Sequence, residues 1–207
     1  MLAATEARRR TAGCTNHGQN RNRRGSTSCY RRPEVGEARD SKNEEAAARV
    51  ALRSATPADR ELLFRVYAST RAEELAVVPW PEEVVEAFLR QQFEAQDTDY
   101  RARYVGATFD VILLDGEPVG RLYQYQTASD INIMDIAVLP EFQGRGIGSQ
   151  LVGDVLAAAR ARAATVSIHV ERNNPALAWY QRLGFTVVED LGIYLFMRWR
   201  PAGTADQ

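Results

Sequence analysis

The stretch Ile136-Ala137-Val138-Leu139-Pro140-Glu141-Phe142-Gln143-Gly144-Arg145-Gly146-Ile147-Gly148-Ser149 runs straight into Gln150-Leu151-Val152 and on to about residue 162. An apolar run stops at a proline, three glycines follow at alternate positions, and Ile147, Leu151, Val155 and Ala159 then recur at intervals of four. That pattern predicts a strand, a turn whose glycines leave the backbone N–H groups unobstructed, and a helix with one apolar stripe. Amides at a helix N-terminus, with the helix dipole behind them and Arg145 alongside, suit a pyrophosphate held without metal or lysine.

Other phosphate loops do not fit. A dinucleotide fingerprint counted from Gly144 needs glycine at the sixth place, where Ser149 stands, and no acid follows in residues 165–170. A Walker loop needs a lysine, and the only lysine of the chain is Lys42. The same count removes a Schiff-base lysine from residues 50–207, and His169, the only histidine after residue 17, leaves a histidine-rich metal site impossible.

Upstream, Val50-Ala51-Leu52-Arg53 alternates as a short strand, and Thr56-Pro57-Ala58-Asp59 announces a helix through a threonine cap, proline at the first position and an early acid. After Pro79-Trp80-Pro81, residues 82–95 show Val84, Val85, Phe88, Leu89 and Gln92 at helical spacing. The period then changes. Residues 109–114, the Asp115-Gly116 turn and residues 119–125 read as a hairpin, and residues 130–139 as a third strand. Downstream, residues 165–170 form a buried-type strand, parallel to 130–139 because a helix intervenes, and residues 192–199 form the last strand.

Between those two strands lies Asn174-Pro175-Ala176-Leu177-Ala178-Trp179-Tyr180-Gln181-Arg182-Leu183-Gly184-Phe185, a compact helix with Asn174 as cap and Gly184 as terminator. The pairing of Gln143-x-x-Gly146-x-Gly148 with Asn174-Pro-Ala-x-x-x-Tyr180-x-x-Leu-Gly-Phe185 resembles the GNAT superfamily of acetyl-CoA-dependent N-acetyltransferases, over roughly residues 50–200. The resemblance implies an α/β (α+β) fold: a mixed, mostly antiparallel central sheet of six or seven strands, flanked by about four helices, with one parallel pair splayed for CoA.

It also implies roles. The amides of Gln143, Gly144, Arg145, Gly146, Ile147, Gly148 and Ser149 would bind the CoA pyrophosphate, and backbone groups of Ile136, Ala137 and Val138 would pair with the pantetheine arm like an added strand. Asn174 would contact acetyl-CoA, and Tyr180 would face the thioester sulfur. Attack by a primary amine on the thioester creates a tetrahedral intermediate whose oxyanion the Val138 amide is placed to stabilise, and the departing CoA thiolate takes a proton from the Tyr180 phenol. Acetyl-CoA enters as cosubstrate, and no metal is expected. Bland readings stand beside these: Asn174 as a helix cap, Tyr180 as core, Arg145 as a surface residue, and the whole as a non-catalytic acyl-CoA-binding module.

The general base is left open. Where some GNAT members carry a strand glutamate this chain has Asn132, so Asp135, Glu171 or a water chain remain, with His169 read as a packing residue. Strand alternation puts Asp135 on the face of Ile131 and Ile133 unless a bulge turns it. The acceptor groove that the resemblance implies offers Arg71, Glu73, Glu74, Trp80, Tyr123 and Tyr125; acids there favour a cationic amine, Arg71 a carboxylate.

Of 207 residues 45% are hydrophobic, enough for one sizeable core, and no apolar run has the 18 to 20 residues of a membrane helix. Charge is uneven: residues 1–49 carry a net +5 and residues 50–207 a net −6. Residues 1–48 are therefore expected to be a disordered basic tail, residues 49–201 the N-acetyltransferase domain and residues 202–207 a short flexible tail. Arg8, Arg9 and Arg10 with Arg21, Arg23 and Arg24 suggest a nucleic-acid tether, which the lack of interleaved aromatics disfavours. With Cys14 and Cys29 both in the polar tail, a disulfide scaffold is ruled out, and a cytoplasmic monomer or homodimer is expected.

Overall fold

Apolar runs of period two become strands and those of period three to four become helices in a computed structural model that describes residues 2–3 and 49–202. In chain order the elements are β1 (Leu2–Ala3), β2 (Val50–Ser54), α1 (Arg60–Leu75), α2 (Glu82–Arg103), β3 (Thr108–Leu114), β4 (Glu117–Gln126), β5 (Asp130–Val138), α3 (Ile147–Ala161), β6 (Thr165–Glu171), α4 (Leu177–Arg182), β7 (Thr186–Asp190) and β8 (Tyr194–Trp199). The sheet runs β2-β3-β4-β5-β6-β8-β7, with β1 attached to β5. The mixed, mostly antiparallel sheet with four helices is the fold expected from the sequence. Of the expected tails, residues 1–48 and 202–207, all but residues 2–3 and 202 lie outside the described residues, and no described helix is long and apolar enough to cross a membrane.

Local chemistry explains the element ends. The Thr56 N–H and Oγ1 both donate to Asp59 Oδ2, at 2.7 and 2.8 Å, so the acid rather than the threonine shapes the entry to α1. The Arg53 guanidinium grips the same carboxylate and holds it well below the usual carboxylate range. Asp115 and Gly116 both have positive φ, 52° and 87°, the geometry of a two-residue hairpin turn. Helix α2 extends eight residues past the expected end, its last turns supported by ion pairs Asp97–Arg101 and Asp99–Arg103 one turn apart.

Two layers cover the sheet. On one face α3 packs Ile147, Leu151, Val155 and Leu156 against Ile131, Ile133, Ile136 and Val138. On the other, α1 and α2 set Leu63, Tyr67, Phe93 and Tyr100 over Val111, Tyr123 and Met134. The expected apolar stripe of α2 is corrected here: Leu89, Phe93 and Tyr100 are buried, whereas Val84 and Phe88 are exposed. Strand β7, which the sequence reading missed, is exposed along its whole length and carries Glu189 and Asp190 at the sheet edge.

The decisive irregularity is in β5. Tyr123 pairs with Asp135 but Gln124 with Ile133, so Met134 is an extra residue, and the bulge turns Asp135 away from the Ile131 and Ile133 face. Asp135 meets Arg121 at 2.6 Å with both side chains essentially inaccessible, and the guanidinium lies over the Tyr67 and Tyr123 rings. Burial pushes the Asp135 carboxyl up, opposed by the Arg121 charge. Asp135→Ala, which strands a buried guanidinium, is expected to cost about 3–5 kcal/mol, read as a lower urea midpoint. Arg121→Met with Asp135→Leu should recover most of that loss; a double variant no better than the single one overturns this account of the bulge.

Candidate active site

Parallel pairing of β5 with β6 covers only Asp130–Ile133 against Thr165–Ile168, and beyond it the two strands part. The Leu139 N–H donates to Val119 O at 2.8 Å, and since successive amides of a strand point to opposite edges, the Ile136 and Val138 amides face the gap while that of Ala137 faces β4. Strand β4 is drawn close because residue 120 is glycine: a Cβ there would lie 2.3 Å from Ala137 O. Of the three residues expected to offer backbone to an extended ligand, Ile136 and Val138 turn their amides to the gap and Ala137 does not. The gap accepts extended backbone, since β1 pairs there in parallel, Leu2 opposite Asp135 and Ala3 opposite Ile136.

At the end of β5 a 3-10 turn, Pro140–Phe142, leads to the glycine loop. Gly144 and Gly146 have φ of 74° and 80° with open space where a Cβ would be, so conformation rather than crowding demands glycine. Gly146 caps α3 with no side-chain hydrogen bond, and the first bond into the helix runs from the Gln150 N–H to Gly146 O. First-turn amides of a helix have no acceptor within it. The side chains of the loop bond internally: Gln143 Nε2 donates to Val138 O at 2.9 Å, and Arg145 Nη2 to Glu141 O at 3.0 Å with its guanidinium over Phe142. The loop thus offers its backbone.

The expected Asn174 cap is corrected: its Oδ1 accepts the Ala176 N–H at 2.8 Å in a turn ahead of the helix, and α4 begins at Leu177 with Ala176 as its N-cap and no side-chain cap bond. Tyr180 is fully buried, its ring 4.7 Å from Trp179 and 5.5 Å from Phe185. His169 packs on Phe196 at 4.8 Å, and burial lowers its pKa. Asn132 donates to Ser167 Oγ at the closed end of the parallel pair. Among the expected bases, Asp135 is locked in its ion pair, whereas Glu171, at the open end of β6, is half-buried and accepts from Tyr194 Oη at 3.2 Å and Arg71 Nη1 at 3.4 Å.

Arg71 ties Glu171 to a cavity of about 180 Å³ between α1 and α2, lined by Tyr67, Arg71, Glu74, Phe88, Leu89 and Gln92. Of the six expected acceptor residues only Arg71 and Glu74 line it; Glu73, Trp80, Tyr123 and Tyr125 do not. Tyr123 is buried beneath α2, its hydroxyl without a partner among the described residues and its pKa pushed up to about 12 by burial, and Tyr125 packs on Tyr104. Leu89 and Gln92 were read only as helix stripe; nothing local in sequence marks them as lining. A larger cavity, about 260 Å³, at the other end of α1 has its guanidiniums already paired, Arg60 with Glu94 and Arg101 with Asp97.

Against this geometry, the profile of the acetyltransferase (GNAT) family matches residues 67–185, more than half of the chain. A Pseudomonas phage PaMx11 protein named 5-NmdU N-acetyltransferase is 40% identical over 68 residues, which cover 31% of this chain and about half, 48%, of that relative. The PaiA N-acetyltransferase of Thermoplasma acidophilum, solved in complex with coenzyme A, superposes with TM-score 0.58 at 18% identity over 74% of this chain and 99% of that one. An acetyltransferase of Thermus thermophilus superposes with TM-score 0.53 at 26% identity, covering 73% and 97%.

The positive φ of the loop gives a test. Gly146→Ala is expected to lower stability by about 1–2 kcal/mol, whereas Gly153→Ala, inside α3 with open space around it, should raise it by up to about 1 kcal/mol. Thermal melts of the two variants moving in the same direction would contradict the left-handed cap.

Proposed function

The chain belongs to the acetyltransferase (GNAT) family, and from that premise we propose that it moves the acetyl group of acetyl-CoA to a primary amine by direct attack. The observation that carries the reading is the join of three features at one point: the gap between β5 and β6, the glycine-capped start of α3, and the cavity reached through Arg71 and Glu171.

The residues present fit the cosubstrate. Two left-handed glycines shape a cradle open to a pyrophosphate at the N-terminus of a 15-residue helix, and the edge of β5 already takes up extended backbone. Acetyl-CoA supplies the thioester, whose carbonyl carbon bonds to the amine nitrogen as the C–S bond breaks. The amides of Gly144, Arg145, Gly146, Ile147, Gly148 and Ser149 would hold the pyrophosphate, with the Gln143 side chain bracing the turn onto Val138. The Ile136 amide would hold the pantetheine arm and the Val138 amide the developing oxyanion. Asn174 would serve by fixing the turn that leads to Tyr180. Tyr180 would give its proton to the leaving thiolate. Glu171, which ends β6 and is tied to the cavity by its ion pair with Arg71, would receive the proton of the incoming ammonium. The acceptor in the phage relative's name does not pass to this chain, because the likeness ends at about half of that protein.

Saturating acetyl-CoA is expected to raise the melting temperature, as selective binding to the folded state requires, and the absence of any shift removes the cosubstrate. Tyr180→Phe should lower kcat about tenfold or more with little change in acetyl-CoA affinity; a variant that binds the cosubstrate yet turns over unchanged leaves Tyr180 as core. No thiol release from any amine, despite binding, would make the protein a non-catalytic acyl-CoA module. A variant beginning at Ala48, which lacks β1, should bind acetyl-CoA at least as tightly as the full chain, because β1 holds positions on β5 that the pantetheine arm needs.

A further inference from the structure

Resting on the acetyl-transfer reading, we infer that the α1–α2 cavity selects a primary amine carried on an aromatic or similarly planar apolar body and bearing no carboxylate. Two sets of observations meet there.

The first is charge. Arg71 is only partly exposed and pairs with Glu74 at 2.9 Å and Glu171 at 3.4 Å, so one guanidinium faces two carboxylates. Burial works against the Arg71 charge, but Glu74, Tyr67 and Glu171 together outweigh it and hold its pKa up. The cluster thus carries a net −1, which an arriving ammonium neutralises. A carboxylate on the acceptor would instead raise the count to three negative groups around one guanidinium already occupied on both sides, and like charges brought together cost several kcal/mol. Arg71 here orients two acids rather than waiting for an anion.

The second is shape and polarity. The floor is Tyr67 and Leu89, both buried, and the wall is Phe88, with 36% of its surface exposed. Trp80 stands edge-on to Phe88, ring centroids 5.5 Å apart at 72°, and is itself 45% exposed. An apolar patch beside a small cavity marks a place where apolar ligand surface is covered. A cavity of about 180 Å³ has room for one ring and a short tether. The amine end then lies toward Glu171, which ends β6, and the ring lies against Phe88.

A matched pair isolates the two features. The full chain, saturated with acetyl-CoA, is assayed for thiol release with 2-phenylethylamine, with L-phenylalanine, which differs by a carboxylate, and with n-butylamine, which lacks the ring. The expected kcat/KM for 2-phenylethylamine exceeds each of the others by roughly tenfold or more. Glu74→Gln, at a half-exposed side chain, is expected to raise KM for 2-phenylethylamine about threefold or more with kcat nearly unchanged, a split that a structural defect would not produce. Equal or better turnover of L-phenylalanine or n-butylamine, or thiol release only with other amines, overturns the inference and leaves acetyl transfer standing. No acetyl-CoA thermal shift and no release with any amine overturns the acetyl-transfer reading itself, and the inference with it.

Discussion

Everything at the site depends on a parallel ladder that stops after four residues. Strands β5 and β6 are bonded from Asp130 to Ile133 and from Thr165 to Ile168, and the bulge at Met134 then bends β5 out of register. A bent strand in a buried region leaves amides that must find partners, since orphaned buried N–H groups are rare and costly. The Ile136 and Val138 amides face that gap, where β1 pairs alongside Asp135 and Ile136, so this edge of β5 takes extended backbone. Because the bulge also turns Asp135 to the α1–α2 side, the ion pair with Arg121 and the opening of the gap are two consequences of one extra residue. The Tyr100 hydroxyl, 3.4 Å from Met134 O, places α2 against the same kink.

What was legible in the sequence was local. The glycine loop, the Asp115-Gly116 turn and the breaks at Pro57 and Pro140 declare themselves because their chemistry lies within a few residues, and the structure keeps each of them. The bulge was open only as a condition on Asp135, because its cause is cross-strand: Arg121 on β4 and Tyr100 on α2 stabilise a kink that the alternation of β5 alone does not show. Strand β7 escaped for the opposite reason, since an exposed edge strand with two acids has neither a period nor an apolar run. The meeting of Arg71 with Glu171 spans 100 residues of sequence, and no local pattern carries it.

The two arginine–carboxylate groups on the α1–α2 side differ in a way that separates structure from recognition. Arg121 and Asp135 are one to one and sealed, so their charges cancel and no partner can enter. Arg71, Glu74 and Glu171 are one to two and half-open, so a charge is left over at the place where α1, β6 and β8 converge. Screening by water weakens each surface pair singly. The surplus acid still biases which ligand enters, because the cavity floor is buried and apolar.

Side-chain bookkeeping in the loop explains why so glycine-rich a signature is informative. Gln143, Arg145 and Asn174 each bond a backbone group within their own turn, so the side chains that a motif search would take as ligands instead fix the path of the chain. In the proposed acetyl-CoA complex, contact with the pyrophosphate would fall to main-chain amides, whose directions are set by φ at Gly144 and Gly146 rather than by any rotamer. A rigid backbone cradle loses little entropy when it binds, whereas long side chains must be immobilised first. The left-handed φ of Gly144 and Gly146 demands glycine, whereas Arg145 and Ser149 stand outside that region.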